Sequence, residues 1–300
     1  MKIVTFEVQG TYRLGVVKEQ GIIDVLAAHA VEGADPATPV TVQQLLEGGA
    51  PALLALQELA ERALAPGQDY ASYLLEEAQL TLGPCVTPPG KIICVGLNYR
   101  RHAEETNAPI PQSPILFNKF SNALAAHGED VPLPRTSEKV DYEAELAIVI
   151  GRKAKYVSRE EALGYVFGYC NANDLSARDL QMRTSQWLLG KTCDKFAPIG
   201  PYLVTADEVG NPNDLTIRTR VNGEERQNSN TSDMIFHCDE IISYLSQHMT
   251  LEPGDIILTG TPEGVMLGYP PEKQVYLKDG DVVTVEIEKL GALTNRMVAE

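Results

Sequence analysis

Glu143 and Glu145 stand one alanine apart in DYEAELAIVI, a segment that is otherwise mostly apolar. On a strand, residues two apart share a face, so the carboxylates would lie together, roughly 7 Å apart along the backbone. The pattern alone leaves two readings open. The pair is either two exposed acids on the wet face of an edge strand, or two carboxylates carried into an apolar setting that need compensating partners. Further on, NDLSARDLQ spaces Asp174, Arg178 and Gln181 by 4 and 3. With Ser176 capping a helix towards Leu189, these three line one side of it. That grouping suits a metal with an anionic ligand, and equally a helix cap with a local Asp–Arg pair. Lys191 follows the only tryptophan, Trp187; on its own it reads as a solvated charge. His102 and Glu105, at i and i+3 in NYRRHAEE, would face each other on a helical turn. A carboxylate beside an imidazole orients it and raises its basicity, although a surface turn of mixed charge has the same spacing. Thr261, in the turn TGTPEGV, offers a hydroxyl and neighbouring N–H groups to a carboxylate, or is a turn residue only. His29, His127, His237 and His248 have no comparable partner and read as structural or surface residues.

The elements that must position these groups are legible in outline. Segments 2–8 and 13–17 alternate in strand fashion around Gln9-Gly10, and 21–25 adds a third strand. A leucine-rich helical pattern runs from 42 to 64, broken at Gly48-Gly49 and ended by Pro66-Gly67. Residues 1–75 therefore read as a small α+β domain and 76–300 as the catalytic one, with a Pro/Gly-punctuated boundary near 75–88. In the larger part, 91–96, 142–150, 215–221, 255–259 and 281–287 read as strands. Ser158 to Glu161 is a capping box opening a helix to about Phe167, and 231–248 reads as a helix capped by Thr231 or Ser232. The Pro-rich loop 106–114 directly follows the His102–Glu105 turn, where a mobile lid would sit.

Composition narrows the class. The 300 residues carry 25 Lys+Arg against 41 Asp+Glu, a net charge of −16, which argues against nucleic-acid binding and against anionic membrane surfaces. An anionic substrate would need a local cation to overcome that field, and a metal ion is one candidate. The five widely spaced cysteines form no CxxC and fit free thiols in a reducing compartment. No stretch approaches the ~20 apolar residues of a membrane span, and MKIVTFEVQG does not read as a signal peptide. The expectation is a soluble cytoplasmic protein.

KIICVGLNYRRHAEE, DYEAELAIVIG, NDLSARDLQ, GKTCDKFAPIGP, RVNGEERQNSNTSDMIF, LEPGDIILTGTPEGV and GDVVTVEI, in that order, resemble the fumarylacetoacetate hydrolase family over about residues 85–295. The similarity is nearest to shorter bacterial members, which include acylpyruvate hydrolases, oxaloacetate decarboxylases and hydroxymuconate-type isomerases. The resemblance implies an α+β, β-rich fold: a roll of mixed sheets preceded by a small α+β N-terminal unit, commonly as a homodimer. It implies that Glu143, Glu145 and Asp174 ligate Mg²⁺ or Mn²⁺, and that Arg178, Gln181, Lys191 and Thr261 contact substrate or its carboxylate. It also implies that His102 and Glu105 activate water on a segment that orders when ligand binds. A fourth upstream acidic ligand, found in the larger eukaryotic type, is missing here as in the shorter members.

Three carboxylates leave three of the six positions of an octahedral ion, two for a chelating 2-oxo acid and one for water. The expected reaction is hydrolytic cleavage of a C–C bond in a 2,4-dioxo acid, with pyruvate enolate leaving. Decarboxylation of oxaloacetate yields the same enolate, so decarboxylase and 2-oxo acid tautomerase or isomerase are the alternatives. A non-catalytic metal-binding member is the alternative from another class; it would be expected to lose the dyad or Lys191, and this chain keeps both.

Overall fold

The computed structural model describes residues 1–33, 35–66 and 70–300. Strands β1 (Lys2–Val8), β2 (Thr11–Lys18) and β3 (Gly21–Asp24) form an antiparallel meander. Its first turn, Gln9-Gly10, has φ of 52° and 78°, the left-handed pair that matches hairpin twist. Helix α1 (Val25–Glu32) is capped by Asp24, and α2 (Val42–Ala63) by Thr41, each side chain accepting a backbone N–H at 3.2 Å. As the Gly-Gly break implies, α2 kinks at Gly49. The short β4 (Leu74–Leu75) pairs with β3.

The rest follows as β5 (Ile92–Gly96), α3 (Arg100–Glu105), β6 (Ile115–Lys119), β7 (Leu124–Ala125), β8 (Asp130–Leu133), β9 (Val140–Asp141), β10 (Ala144–Ile150) and α4 (Arg159–Ala162). Then come β11 (Val166–Asn173), β12 (Ser176–Ala177), α5 (Arg178–Gln181), α6 (Leu188–Lys191), β13 (Ala197–Thr205) and α7 (Ala206–Val209). The chain ends with β14 (Thr216–Val221), β15 (Glu224–Asn230), α8 (Cys238–His248), β16 (Ile256–Leu258), β17 (Val282–Ile287) and β18 (Gly291–Ala299).

One eleven-stranded sheet runs β4-β3-β2-β1-β13-β11-β10-β16-β5-β6, with β7 beside β13. A second, of five strands, runs β15-β14-β17-β18-β8, and β9 pairs with β12. The architecture is the mixed, β-rich α+β type. Because β1 joins β13, the sheet crosses the expected boundary at 75 without interruption.

Strand β10 is buried throughout, which is why its sequence is nearly all apolar rather than alternating. Period two still sorts its side chains. Leu146, Ile148 and Ile150 pack with α8 and the second sheet, while Ala147 and Val149 pack with the N-terminal strands and α2. Such a strand, clamped from both faces, is a rigid mount for the carboxylates at its start.

Three expected helices come out shorter or split. The helix after Ser158 stops at Ala162 and passes through a 3₁₀ turn, Leu163–Tyr165, into β11; Ser158 bonds the Glu161 carboxylate rather than a backbone N–H. The β-branched and aromatic run from Val166 outweighs the capping signal. Residues 231–248 are split into a 3₁₀ turn capped by Asn230 and α8, which begins at Cys238. Asn98 divides them, taking the Phe236 N–H on its side-chain oxygen and the Ile235 N–H on its carbonyl. Ser176 caps no helix. It lies in β12, and the segment towards Leu189 is two single turns, α5 and α6, interrupted where Thr184 closes a local turn with Gln186.

Candidate metal centre and active site

Glu143 precedes β10, Glu145 lies within it, and Asp174 follows the neighbouring β11. Pairing Ala144 with Asn173 puts the three carboxylates side by side. They are buried, with one oxygen from each within 4.8 Å of the others. The exposed-edge reading of Glu143 and Glu145 is thereby excluded. Asp174 and Arg178 are brought together by a strand end and a single helical turn, not by one helix face.

Cations surround this trio. The Lys191 ammonium lies 2.6 Å from Glu143 Oε2 and 2.8 Å from Asp174 Oδ2, bridging them. Lys119, at the end of β6, donates to Asp174 Oδ1 and to the Leu175 carbonyl. Arg178 Nη2 lies 2.7 Å from Glu143 Oε1, its Nε donates to Asp141 at 2.9 Å, and its Nη1 donates to Gln181 Oε1 at 3.0 Å. All of these groups are at least nine-tenths buried. Asp141, Glu143, Glu145 and Asp174 face Lys119, Arg178 and Lys191, which leaves one carboxylate charge in excess.

Burial alone would raise the Glu143 carboxyl, but Lys191 and Arg178 outweigh it and hold that group well below the usual carboxylate range. Glu145 is the converse. Burial first, then Asp174 and Glu143, push its carboxyl well above that range. Glu145 Oε2 accepts the Gly260 N–H at 2.7 Å. Gly260 has φ +99°, and a Cβ there would meet Asn98 at 2.7 Å, so only glycine aims that N–H without strain. Three buried carboxylates offer the hard oxygen donors that Mg²⁺ and Mn²⁺ take, so the residues fit such an ion.

A cavity of about 250 Å³ opens beside the trio, lined by Glu143, Glu145, Arg178, Gln181, Lys191 and Thr261 among others. His102 and Thr106 form part of its wall. His102 Nδ1 lies 2.7 Å from Glu105 Oε1, as the i, i+3 spacing anticipates. Glu105 is itself held by the Gly264 N–H, at 3.2 and 3.0 Å from its two oxygens. Thr261 Oγ1 accepts from Gln227, a buried amide that also takes the Ala144 N–H and so ties the turn to the base of β10. Loop 106–114 follows α3, and its Ala108 reaches the cavity wall.

Lys119, Asp141, Gln227 and the Phe117–Trp187 wall were not singled out from sequence. Phe117 and Trp187 stack edge-on at 5.4 Å, and the Lys191 ammonium sits 4.9 Å over the Phe117 ring. Asp141 had a usable signal, because it continues the two-residue step of Glu143 and Glu145 backwards. Lys119 and Gln227 had none, since each meets its partner only across the fold.

A family model for the fumarylacetoacetate hydrolase C-terminal domain matches residues 91–298. An oxaloacetate tautomerase of Rattus norvegicus, named as mitochondrial, is 48% identical over 266 residues, 88% of this chain and 82% of the relative. A maleylpyruvate hydrolase from Sphingobium sp. SYK-6, solved with manganese(II) and pyruvate, is 33% identical with TM-score 0.77, covering 100% of this chain and 99% of that one. A fumarylpyruvate hydrolase from Pseudomonas aeruginosa, solved with Mn²⁺ and pyruvate, is 35% identical with TM-score 0.65 over 73% and 92% of the two chains.

Proposed function

Because the chain belongs to the fumarylacetoacetate hydrolase family, we propose that it is a divalent-metal-dependent enzyme that interconverts the keto and enol forms of oxaloacetate. The observation that carries this reading is the buried Glu143–Glu145–Asp174 trio beside a cavity that Arg178, Lys191 and His102 share. Similarity to oxaloacetate tautomerases moves tautomerisation ahead of the C–C hydrolysis expected from sequence. Glu143, Glu145 and Asp174 would hold Mg²⁺ or Mn²⁺, which when bound supplies Lewis-acid polarisation of the C2 carbonyl. Arg178, backed by Gln181, and Thr261 orient the carboxylate end of the substrate. Lys191 places a positive charge near the C2 oxygen, where negative charge grows as the C3 proton leaves. His102, with Nδ1 fixed by Glu105, keeps Nε2 to take the C3 proton as the enol forms and to return it to C3 as the keto form is restored, the C2 hydroxyl proton being taken from and given up to solvent water.

A second reading, hydrolysis of a 2,4-dioxo acid, is favoured by the same imidazole–carboxylate pair, which can activate water, and by similarity to the maleylpyruvate and fumarylpyruvate hydrolases. The test is a side-by-side assay of enol-to-keto conversion of oxaloacetate and cleavage of acetylpyruvate, with Mg²⁺, Mn²⁺ and chelator. Faster tautomerisation supports the first reading, and faster cleavage the second. The homodimer belongs to the proposal as well. The free edge of β6 is flanked by exposed Ile115 and Phe120, and sedimentation at twice the 32.7 kDa chain mass is the expected result.

A further inference from the structure

We propose that Asp141 is a positioning residue that holds the Arg178 wall of the cavity and the turn behind the His102–Glu105 pair in one register; the inference rests on the functional reading above. Asp141 is completely buried, yet it lies outside the carboxylate trio. Its Oδ2 accepts from Arg178 Nε at 2.9 Å, with Nη2 of the same guanidinium also at 2.9 Å, and takes the Leu267 N–H at 3.1 Å. Its Oδ1 accepts the N–H groups of Met266 at 3.0 Å and Tyr142 at 2.9 Å. A buried carboxylate so surrounded by donors has one orientation, and displacing one partner disturbs the others.

The turn it grips is the seat of Glu105. Gly268 lies so close that a Cβ there would come within 2.5 Å of the Glu105 carboxyl carbon, and Gly264 donates its N–H to Glu105. Glu105 fixes His102 in turn. The path from Arg178 through Asp141, Met266–Gly268 and Glu105 to His102 is therefore continuous contact. A separate tether reaches the same turn without touching Arg178: the Tyr142 hydroxyl donates to the Gly264 carbonyl at 2.9 Å.

That difference separates the two arms experimentally. Asp141→Asn keeps the side chain's size but turns an NH₂ group towards donors. Tyr142→Phe removes only the second tether. Both are compared with the wild type in Mn²⁺-dependent oxaloacetate tautomerisation and in hydrogen exchange of the metal-free protein. Asp141→Asn is expected to raise KM about tenfold and lower kcat about tenfold, whereas Tyr142→Phe lowers kcat alone. In both variants, exchange should accelerate across 264–268 and 102–106 and stay at wild-type rates elsewhere. Equal KM changes in the two variants, wild-type kinetics in Asp141→Asn, or exchange rising uniformly along the chain would overturn the assignment. If Asp141→Asn does not fold, Arg178→Lys tests the link from the other side. Accelerated exchange at 264–268 and 102–106 supports it, and unchanged protection refutes it. Absence of metal-dependent turnover in the wild type would defeat the functional reading, and the exchange arm would still decide the role of Asp141.

Discussion

Lys191 shows how a residue with no local signal becomes central. Its ammonium is buried between Glu143 and Asp174, and their charges, after outweighing burial, hold it protonated well above the ordinary lysine range. Removing one partner of a buried ion pair leaves charge uncompensated, at a cost of about 3–5 kcal/mol. In Lys191→Met the metal-free protein should therefore melt at a clearly lower temperature. The same change removes a cation from two candidate ligands, so Mn²⁺ should bind more tightly while kcat falls. Calorimetric melting in chelator and a Mn²⁺ titration check both; weaker Mn²⁺ binding would show that the ammonium supports the ion rather than competing with it.

Helix α3 and the turn Met266–Gly268 depend on each other, since the turn seats the Glu105 carboxylate that orients His102. Gly268→Ala would push a methyl against the mobile end of the Glu105 side chain rather than against backbone. The fold should tolerate it, while the carboxylate leaves His102. Tautomerisation should fall roughly tenfold to a hundredfold with melting temperature and Mn²⁺ affinity nearly unchanged, because neither residue touches the trio. A wild-type rate in this variant would mean that Glu105 does not orient the imidazole. His102→Ala should cost more, about 10²–10⁴ in rate, measured under the same saturating Mn²⁺.

Local spacing was legible in the sequence, and pairing across the fold was not. Period-two spacing put Glu143 and Glu145 on one face, and i, i+3 spacing put His102 against Glu105, because both relations are local. The strands at 2–8, 13–17, 21–25, 91–96, 142–150, 215–221, 255–259 and 281–287 were legible from alternation or apolar runs, whereas β6, β11, β13, β15 and β18 were not read from the sequence. The helix at 158–167 was overestimated because the β-branched and aromatic run from Val166 outweighs its cap, and those at 176–189 and 231–248 because contacts distant in sequence decide them. Asn98 splits the last, and β9 draws Ser176 into a strand. Lys119 meets Asp174 across 55 positions, a pairing no local pattern encodes.

At the scale of the whole molecule, the site stitches the sheet together. Glu143 leads into β10 and Glu145 lies within it, Asp174 follows β11, Lys119 ends β6 and Lys191 ends α6. An ion bound only in the folded state stabilises it by mass action, about 2.7 kcal/mol at a hundredfold excess over its dissociation constant. Mn²⁺ should accordingly raise the melting temperature of the wild type and leave that of Glu145→Ala unmoved. Metal dependence is tested most directly by adding Mn²⁺ stepwise to chelator-stripped protein while enol-to-keto conversion of oxaloacetate is recorded. Negligible turnover is expected at the start, then a rise that saturates at one ion per chain, with no rise in Glu145→Ala. Full turnover in the stripped wild type, or an undiminished rise in Glu145→Ala, would contradict it.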